Sequence, residues 1–238
     1  GGYYGTASGT FMNCTGGNSA FGGSEGTASG TFTNCTGGNS AFGGYYGTAS
    51  GTFTNCTGEY NAFGGYYGTA SGTFMNCTGG NSAFGGNGTA SGTFTNCTGG
   101  NSAFGGYITA SGTFTNCTGG DYAFGYGGTA SGTFTGCTGG YGAFGGGGSG
   151  NTTGGSFYGC RMTGIYYGAT FRGRMENCRW NVGFTCGAEA RIYRSTILGN
   201  VNLNSTAAGI AHSAVKGTIQ NAGSASFNTV NLEDTDVN

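Results

Sequence analysis

Proline is absent from the 238 residues, and charge is nearly so, at 6% of the chain. The 59 glycines do not fall at every third position, and with no proline they exclude a collagen triple helix. No run of 18 apolar residues is present, so no membrane-spanning helix is expected. Residues 1–148 hold no Lys or Arg and only three acids, Glu25, Glu59 and Asp121. So neutral a surface lacks the cations that phosphate contacts require, and nucleic acid is not an expected partner. All seven basic residues lie between Arg161 and Lys216, where they read first as solvated outward positions and second as a patch for an anionic partner. One histidine, His212, and no Cys-x-x-Cys pair leave no zinc site. No cofactor motif appears, and no secretion or lipidation signal does. The chain starts at Gly1, inside a repeat, so processing or a longer polypeptide is expected.

What is present is a repeat. The stretch Gly5–Cys14, GTASGTFMNC, recurs six more times, at intervals of 20 or 21 residues. A period of this size marks a solenoid, in which each coil buries its apolar face only against its neighbours. Low charge and abundant Gly and Ser would also suit disorder. Disorder gives no reason for Phe and Cys to stay in phase, as they do at Phe11/Cys14, Phe32/Cys35, Phe53/Cys56, Phe74/Cys77, Phe94/Cys97, Phe114/Cys117 and Phe134/Cys137. The spacing continues at Phe157/Cys160 and Met175/Cys178, then with altered chemistry at Ile192/Ser195, Ile210/Ser213 and Phe227/Val230. We therefore expect an all-β, single right-handed parallel β-helix of about twelve coils. Residues 1–148 form seven regular glycine-rich coils; residues 149–238 form irregular, shorter coils and a C-terminal cap. At a rise of about 4.8 Å per coil the rod is about 55 Å long.

Within a coil, Thr-Ala-Ser-Gly-Thr-Phe-Thr alternates with period two, which reads as a half-buried strand with Ala7, Gly9 and Phe11 on the inner face. A turn at Asn13 sends Cys14 inward, and a second short strand is expected around Ser19–Phe21. Nine of the ten cysteines share one position, so they read as a buried thiol row and not as a disulfide framework; Cys186 lies off that row. The asparagines before these cysteines suggest an amide ladder in preference to glycosylation of Asn-Cys-Thr, since a sugar on every coil would clash at this spacing. Two windows vary between coils. Tyrosine dominates both, through Tyr3, Tyr4, Tyr45, Tyr46, Tyr66, Tyr67, Tyr107 and Tyr126 at one corner and Tyr60, Tyr122 and Tyr141 at the other. These are the expected recognition or packing surfaces, since tyrosine suits both sugar stacking and chain–chain contact. Thr-x-Thr pairs such as Thr31/Thr33 and Thr52/Thr54 form outward rows, interrupted by Met12 and Met75.

Catalysis has little support. Polysaccharide-cleaving sites need clustered carboxylates, and no two acids recur at one position on adjacent coils. The run Glu233, Asp234 and Asp236 reads as a solvated end. The repeat GTASGTFTNCTGGNSAFGG resembles the glycine-rich β-helical repeats of virion structural proteins and tail fibres of tailed bacteriophages, including those infecting cyanobacteria, over residues 1–144. Residues 150–238 resemble degenerate pectin-lyase-like coils. The resemblance implies a rigid, non-enzymatic fibre or spacer on a virion surface. It also implies self-association as a trimer or filament, other assembly subunits as partners, and host attachment, with a cell-surface glycan as one partner. A bacterial surface adhesin or secreted filament subunit is the alternative, and an ice-binding solenoid using the Thr-x-Thr rows is another.

Overall fold

A computed structural model describes residues 4–145, 152–163, 170–181, 184–187, 189–203, 208–217, 219–221 and 226–231; for 152, 219–221 and 226–231 it describes the backbone only. The chain is a parallel β-solenoid without helix among the described residues. One sheet has twelve strands, one per coil, from Thr6–Ala7 to Ile219–Asn221, and the second has sixteen. This agrees with a right-handed parallel β-helix of about twelve coils.

Register follows the Phe-x-x-Cys alignment throughout. Phe11 pairs with Phe32, Phe134 with Phe157, Phe157 with Met175, Met175 with Ile192, Ile192 with Ile210 and Ile210 with Phe227. The last coils thus continue the solenoid. Ser213 pairs with Val230, the most remote pair of the series.

The core of the regular coils is two columns of stacked rings. In the first, Phe11 to Phe157 stack at 4.8–4.9 Å between centroids and within 3° of parallel. The second runs from Phe21 to Phe144 and meets the first edge-on, as at Phe74–Phe84, 5.6 Å and 81°. Offset stacking and edge contacts are the two arrangements that the ring quadrupole favours, each about 0.5–1.5 kcal/mol beyond area burial. The irregular coils replace the second column with Met162, Trp180, Phe171, Phe184 and Ile197, all buried; Trp180 closes it by stacking at 6.1 Å on Phe144.

Three local expectations are corrected. Thr-Ala-Ser-Gly-Thr-Phe-Thr is not one strand. The chain bends at Ser8–Gly9, so Thr6–Ala7 lies in the first sheet and Thr10–Met12 in the second. Glycine recurs after this bend because coils approach closely there: a Cβ on Gly51 would collide with the Gly30 carbonyl, and the same holds from Gly30 to Gly173. Around Ser19–Phe21 there is no strand but a left-handed residue, Ser19 at φ 55°, followed by single-residue bridges at Phe21. Phe11 and Cys14 are only half-buried, because no described coil stacks on the first one.

The corner at Asn13 is the most persistent feature of the coil. Asn13, Asn34, Asn55, Asn76, Asn96 and Asn116 all take φ of 52–53°. Where asparagine is lost the geometry remains: Gly136 and Gly159, then Asn177, Arg194 at 46° and His212 at 50°. Asparagine and glycine tolerate this region readily; for other residues it costs about 1–2 kcal/mol.

Candidate recognition surfaces and the structural rows beneath them

The side chains singled out from the sequence divide into buried rows and exposed edges. Phe32, Phe53, Phe74, Phe94, Phe114, Phe134, Phe157 and Met175 are fully buried, as are Cys35, Cys56, Cys77, Cys97, Cys117 and Cys137, with Cys160 and Cys178 nearly so. All ten cysteines are free thiols. From Cys35 to Cys178 the thiols of the row donate to backbone carbonyls: Cys56 Sγ lies 3.4 Å from Phe32 O of the coil before and 3.4 Å from Thr54 O of its own. The row outlives its sulfur. The Cys160 amide donates to Cys178 Sγ at 3.4 Å, the Cys178 amide to Ser195 Oγ at 3.1 Å, and the Ser195 amide to Ser213 Oγ at 3.1 Å. A hydroxyl supplies the same acceptor and donor, so serine continues what cysteine begins. Cys186, unassigned by its spacing, is a core residue of the first sheet, paired with Phe171 and Leu203.

Burial decides the chemistry of these thiols, since a thiolate loses its hydration in the core. Burial pushes Cys186 up to about 12 from an ordinary 9.0, and burial is also the first cause for Cys35, which is raised. Cys77, Cys117, Cys160 and Cys178 are raised too, first by the neighbouring thiol and then by burial. For the row taken whole, burial opposes every thiolate and the direction is up. Thiols of this kind are inert packing groups.

Two exposed polar rows brace the corners. Nδ2 of Asn34 donates to Oδ1 of Asn13 at 3.1 Å, and the pattern repeats to Asn116, whose bond to Asn96 is 3.4 Å. The second row was not apparent from sequence because it lies in a variable window. Asn18, Asn39, Asn81, Asn101 and Asp121 each accept, through Oδ1, the backbone amide of the next coil at 2.8–3.0 Å. Tyr60 interrupts it by supplying no such acceptor. The recurrence of Asn or Asp four residues after the cysteine of Thr-Ala-Ser-Gly-Thr-Phe-x-x-Cys was its only signal.

The tyrosine edges are only partly exposed. Tyr4, Tyr46, Tyr60, Tyr67, Tyr107 and Tyr141 are exposed, with Tyr4 the most open at 74%; Tyr45, Tyr66, Tyr122 and Tyr126 are half-buried, and Tyr3 lies outside the described residues. The half-buried set is corrected for a physical reason: rings at coil spacing cover one another. Tyr45 stacks on Tyr66 at 5.2 Å and Tyr46 on Tyr67 at 5.5 Å, forming a double ladder over coils three and four. Tyr122 and Tyr126 pack at 4.2 Å. Where the corner shortens by one residue, a recess opens between Tyr60, Tyr66 and Tyr107, floored by Ser82, Ser102 and Asn87. Thr10, Thr31, Thr52, Thr73, Thr93, Thr113 and Thr133 form one exposed row; Thr33, Thr54, Thr95 and Thr115 beside it are half-exposed.

The described acids, Glu25, Glu59, Asp121, Glu176 and Glu189, do not converge, and Glu233, Asp234 and Asp236 lie outside the described residues. Among the described residues no three His, Cys, Asp or Glu side chains group to hold a metal ion. No described helix is long and apolar enough to cross a membrane. No protein-family model matches this chain, and no curated protein or solved structure does.

Proposed function

We propose that this chain is a structural rod of an extracellular assembly, in the manner of a bacteriophage tail fibre or virion surface protein, with a role in host attachment and no enzymatic activity. The observation that carries this reading is unbroken register: one cross-section is stacked through twelve strands of one sheet, with ring columns and amide rows running along the axis. Such a stack resists bending because every coil is bonded to both neighbours through backbone, core and corner. Seven near-identical coils offer repeated lateral faces, which favour association with further copies or other subunits over a unique pocket. The virion assignment rests on the resemblance of the repeat. It is tested by immunogold negative-stain microscopy of purified phage from the source material; label along a fibre supports it. Unlabelled particles, with label on cell surfaces, would favour the adhesin or filament reading instead.

A second reading has one observation in its favour. The exposed threonine row, with half-exposed threonines beside it, is a flat, regular hydroxyl and methyl array of the kind that ice-binding solenoids present. Thermal hysteresis that disappears on Thr52→Tyr with Thr54→Tyr would establish it, and absence of hysteresis in the intact protein would remove it.

A further inference from the structure

The rod reading leaves the basic residues unused, although they are confined to one stretch of the solenoid. Seven cations, Arg161, Arg172, Arg174, Arg179, Arg191, Arg194 and Lys216, face only two described carboxylates in the irregular coils, Glu176 and Glu189. Register groups them. Arg174 pairs directly with Arg191 in the second sheet, and Arg161 with Arg179 across the corner. All four side chains are exposed. The regular coils place threonine at these positions, Thr133 and Thr138 being the last. The exchange therefore gains no burial, and it sets like charges directly opposite, which is destabilising. Arg174 pairs with Glu176 at 2.8 Å, and Arg191 donates to the Ala190 carbonyl at 2.9 Å.

The corner between the two rows is also arranged. Arg194 sits there in the left-handed conformation, φ 46°, with its guanidinium 4.8 Å from the Tyr193 ring centre. Arg174 lies 5.7 Å from the centre of Tyr158. The Tyr193 edge is closed by His212 at 5.3 Å. Below Arg191 and Tyr193 the next coil carries Gly209 and Ala211, so a recess opens, lined by Arg174, Arg191, Tyr193, Gly209 and Ala211. Guanidinium groups held on tyrosine faces, flanking a recess, form a track for anionic groups that recur along a chain.

We propose that this face of the irregular coils binds an anionic polysaccharide, its carboxylates or sulfates on the arginine rows and the apolar faces of its sugar rings over the recess. Single-stranded nucleic acid is disfavoured because it needs free aromatic faces for base stacking, and Tyr158 and Tyr193 already carry guanidinium groups. The inference goes beyond the rod reading and stands whether the rod belongs to a virion or to a cell.

The test uses the full chain with polygalacturonate, dextran sulfate, neutral dextran, poly(dT) and anionic phospholipid vesicles as probes in titration calorimetry or affinity electrophoresis. Binding to polygalacturonate or dextran sulfate that weakens with salt, without binding to neutral dextran, is the expected result. Replacing Arg161, Arg174, Arg179 and Arg191 together with Gln should weaken it at least about tenfold, since several charge-assisted contacts are lost, and should not lower the melting temperature, because the like-charge pairs it removes are destabilising. The same four residues as Lys should retain part of the affinity. Tyr46→Ser on the regular coils should change nothing. Equal binding by the Gln variant, no binding to either anionic polymer, or tighter binding to poly(dT) or vesicles than to both polymers would each overturn the proposal. Failure to label virions would leave this result unaffected, so the two readings are separable.

Discussion

The regular coils and the irregular coils share one cross-section but hold it by different means. From Phe11 to Phe157 a single ring type stacks at 4.8–4.9 Å, flanked by thiols and capped by an asparagine row. From Arg161 onward rings, thioethers and branched aliphatic side chains mix in the core, and the asparagine row has ended. Yet the left-handed corner carries on, and so does the buried position held by Cys160, Cys178, Ser195 and Ser213, where the last three each accept a backbone amide. What defines the coil is thus a corner conformation and a hydrogen-bonding position, with residue identity secondary. Uniform packing makes a stiff surface with no singular place on it. Mixed packing permits outward residues to differ from coil to coil, and it is there that charge accumulates.

The sharpest way to break this contrast is in the core. Phe74→Ala, which removes one ring from an uninterrupted column, should cost about 3–5 kcal/mol, whereas Met175→Leu in the mixed core should cost below about 1.5 kcal/mol. Chemical denaturation followed by circular dichroism measures both. Equal losses would mean that the two cores are equally specific. Next in size is coil approach. Gly51→Ala drives a methyl into the Gly30 carbonyl and should cost about 1–3 kcal/mol. Gly154→Ala meets open space and should stay within about 0.5 kcal/mol. In the acceptor row, Cys178→Ala leaves the buried Cys160 amide without its partner, at about 1–3 kcal/mol. Cys178→Ser, which repeats what Ser195 already does, should be close to neutral.

Alkaline stability separates the regions more gently. Cys186 is raised to about 12 by burial, so the folded state keeps its proton where the unfolded chain, at the ordinary 9.0, gives it up. The stability contributed by the neutral thiol is complete below pH 9 and is lost as pH rises toward about 12. Unfolding free energy measured against pH should fall less steeply above pH 9 in Cys186→Ala than in the intact protein; parallel curves would show that this thiol is exposed. The smallest effect is at the corner. His212→Gly should stabilise by up to about 1 kcal/mol by relieving a left-handed histidine, and a destabilised variant would show that the Tyr193 contact outweighs the strain.

Much of the fold was legible because one chemical unit recurs. Phe-x-x-Cys fixed the register as far as Phe227 even after both residues had changed, since size and polarity at the two positions still matched. The bend at Ser8–Gly9 was not legible, because period-two alternation looks the same whether the chain stays in one sheet or crosses to another. Nor was the continuation of the corner at Arg194 and His212, two residues that adopt that conformation far less readily than glycine or asparagine. Of the recognition surfaces, the tyrosines were visible as variable positions, but their mutual burial depends on coil stacking. The arginine rows were visible only as composition, since the pairing of Arg161 with Arg179 and of Arg174 with Arg191 appears only when unequal coils are laid in register.

The near-identity of the first seven coils has a consequence for how the chain finds its fold. A stack of equal units has translational symmetry, so a slip by one whole coil returns almost every pairing, phenylalanine on phenylalanine and amide on amide. Local energies within the regular part therefore distinguish poorly between the correct alignment and one displaced by a full period. The unlike coils remove this degeneracy. Trp180 fits beneath Phe144, and Cys186 between Phe171 and Leu203, in one alignment only. The irregular half is the phase mark of the molecule, the place from which the rest of the solenoid can be counted.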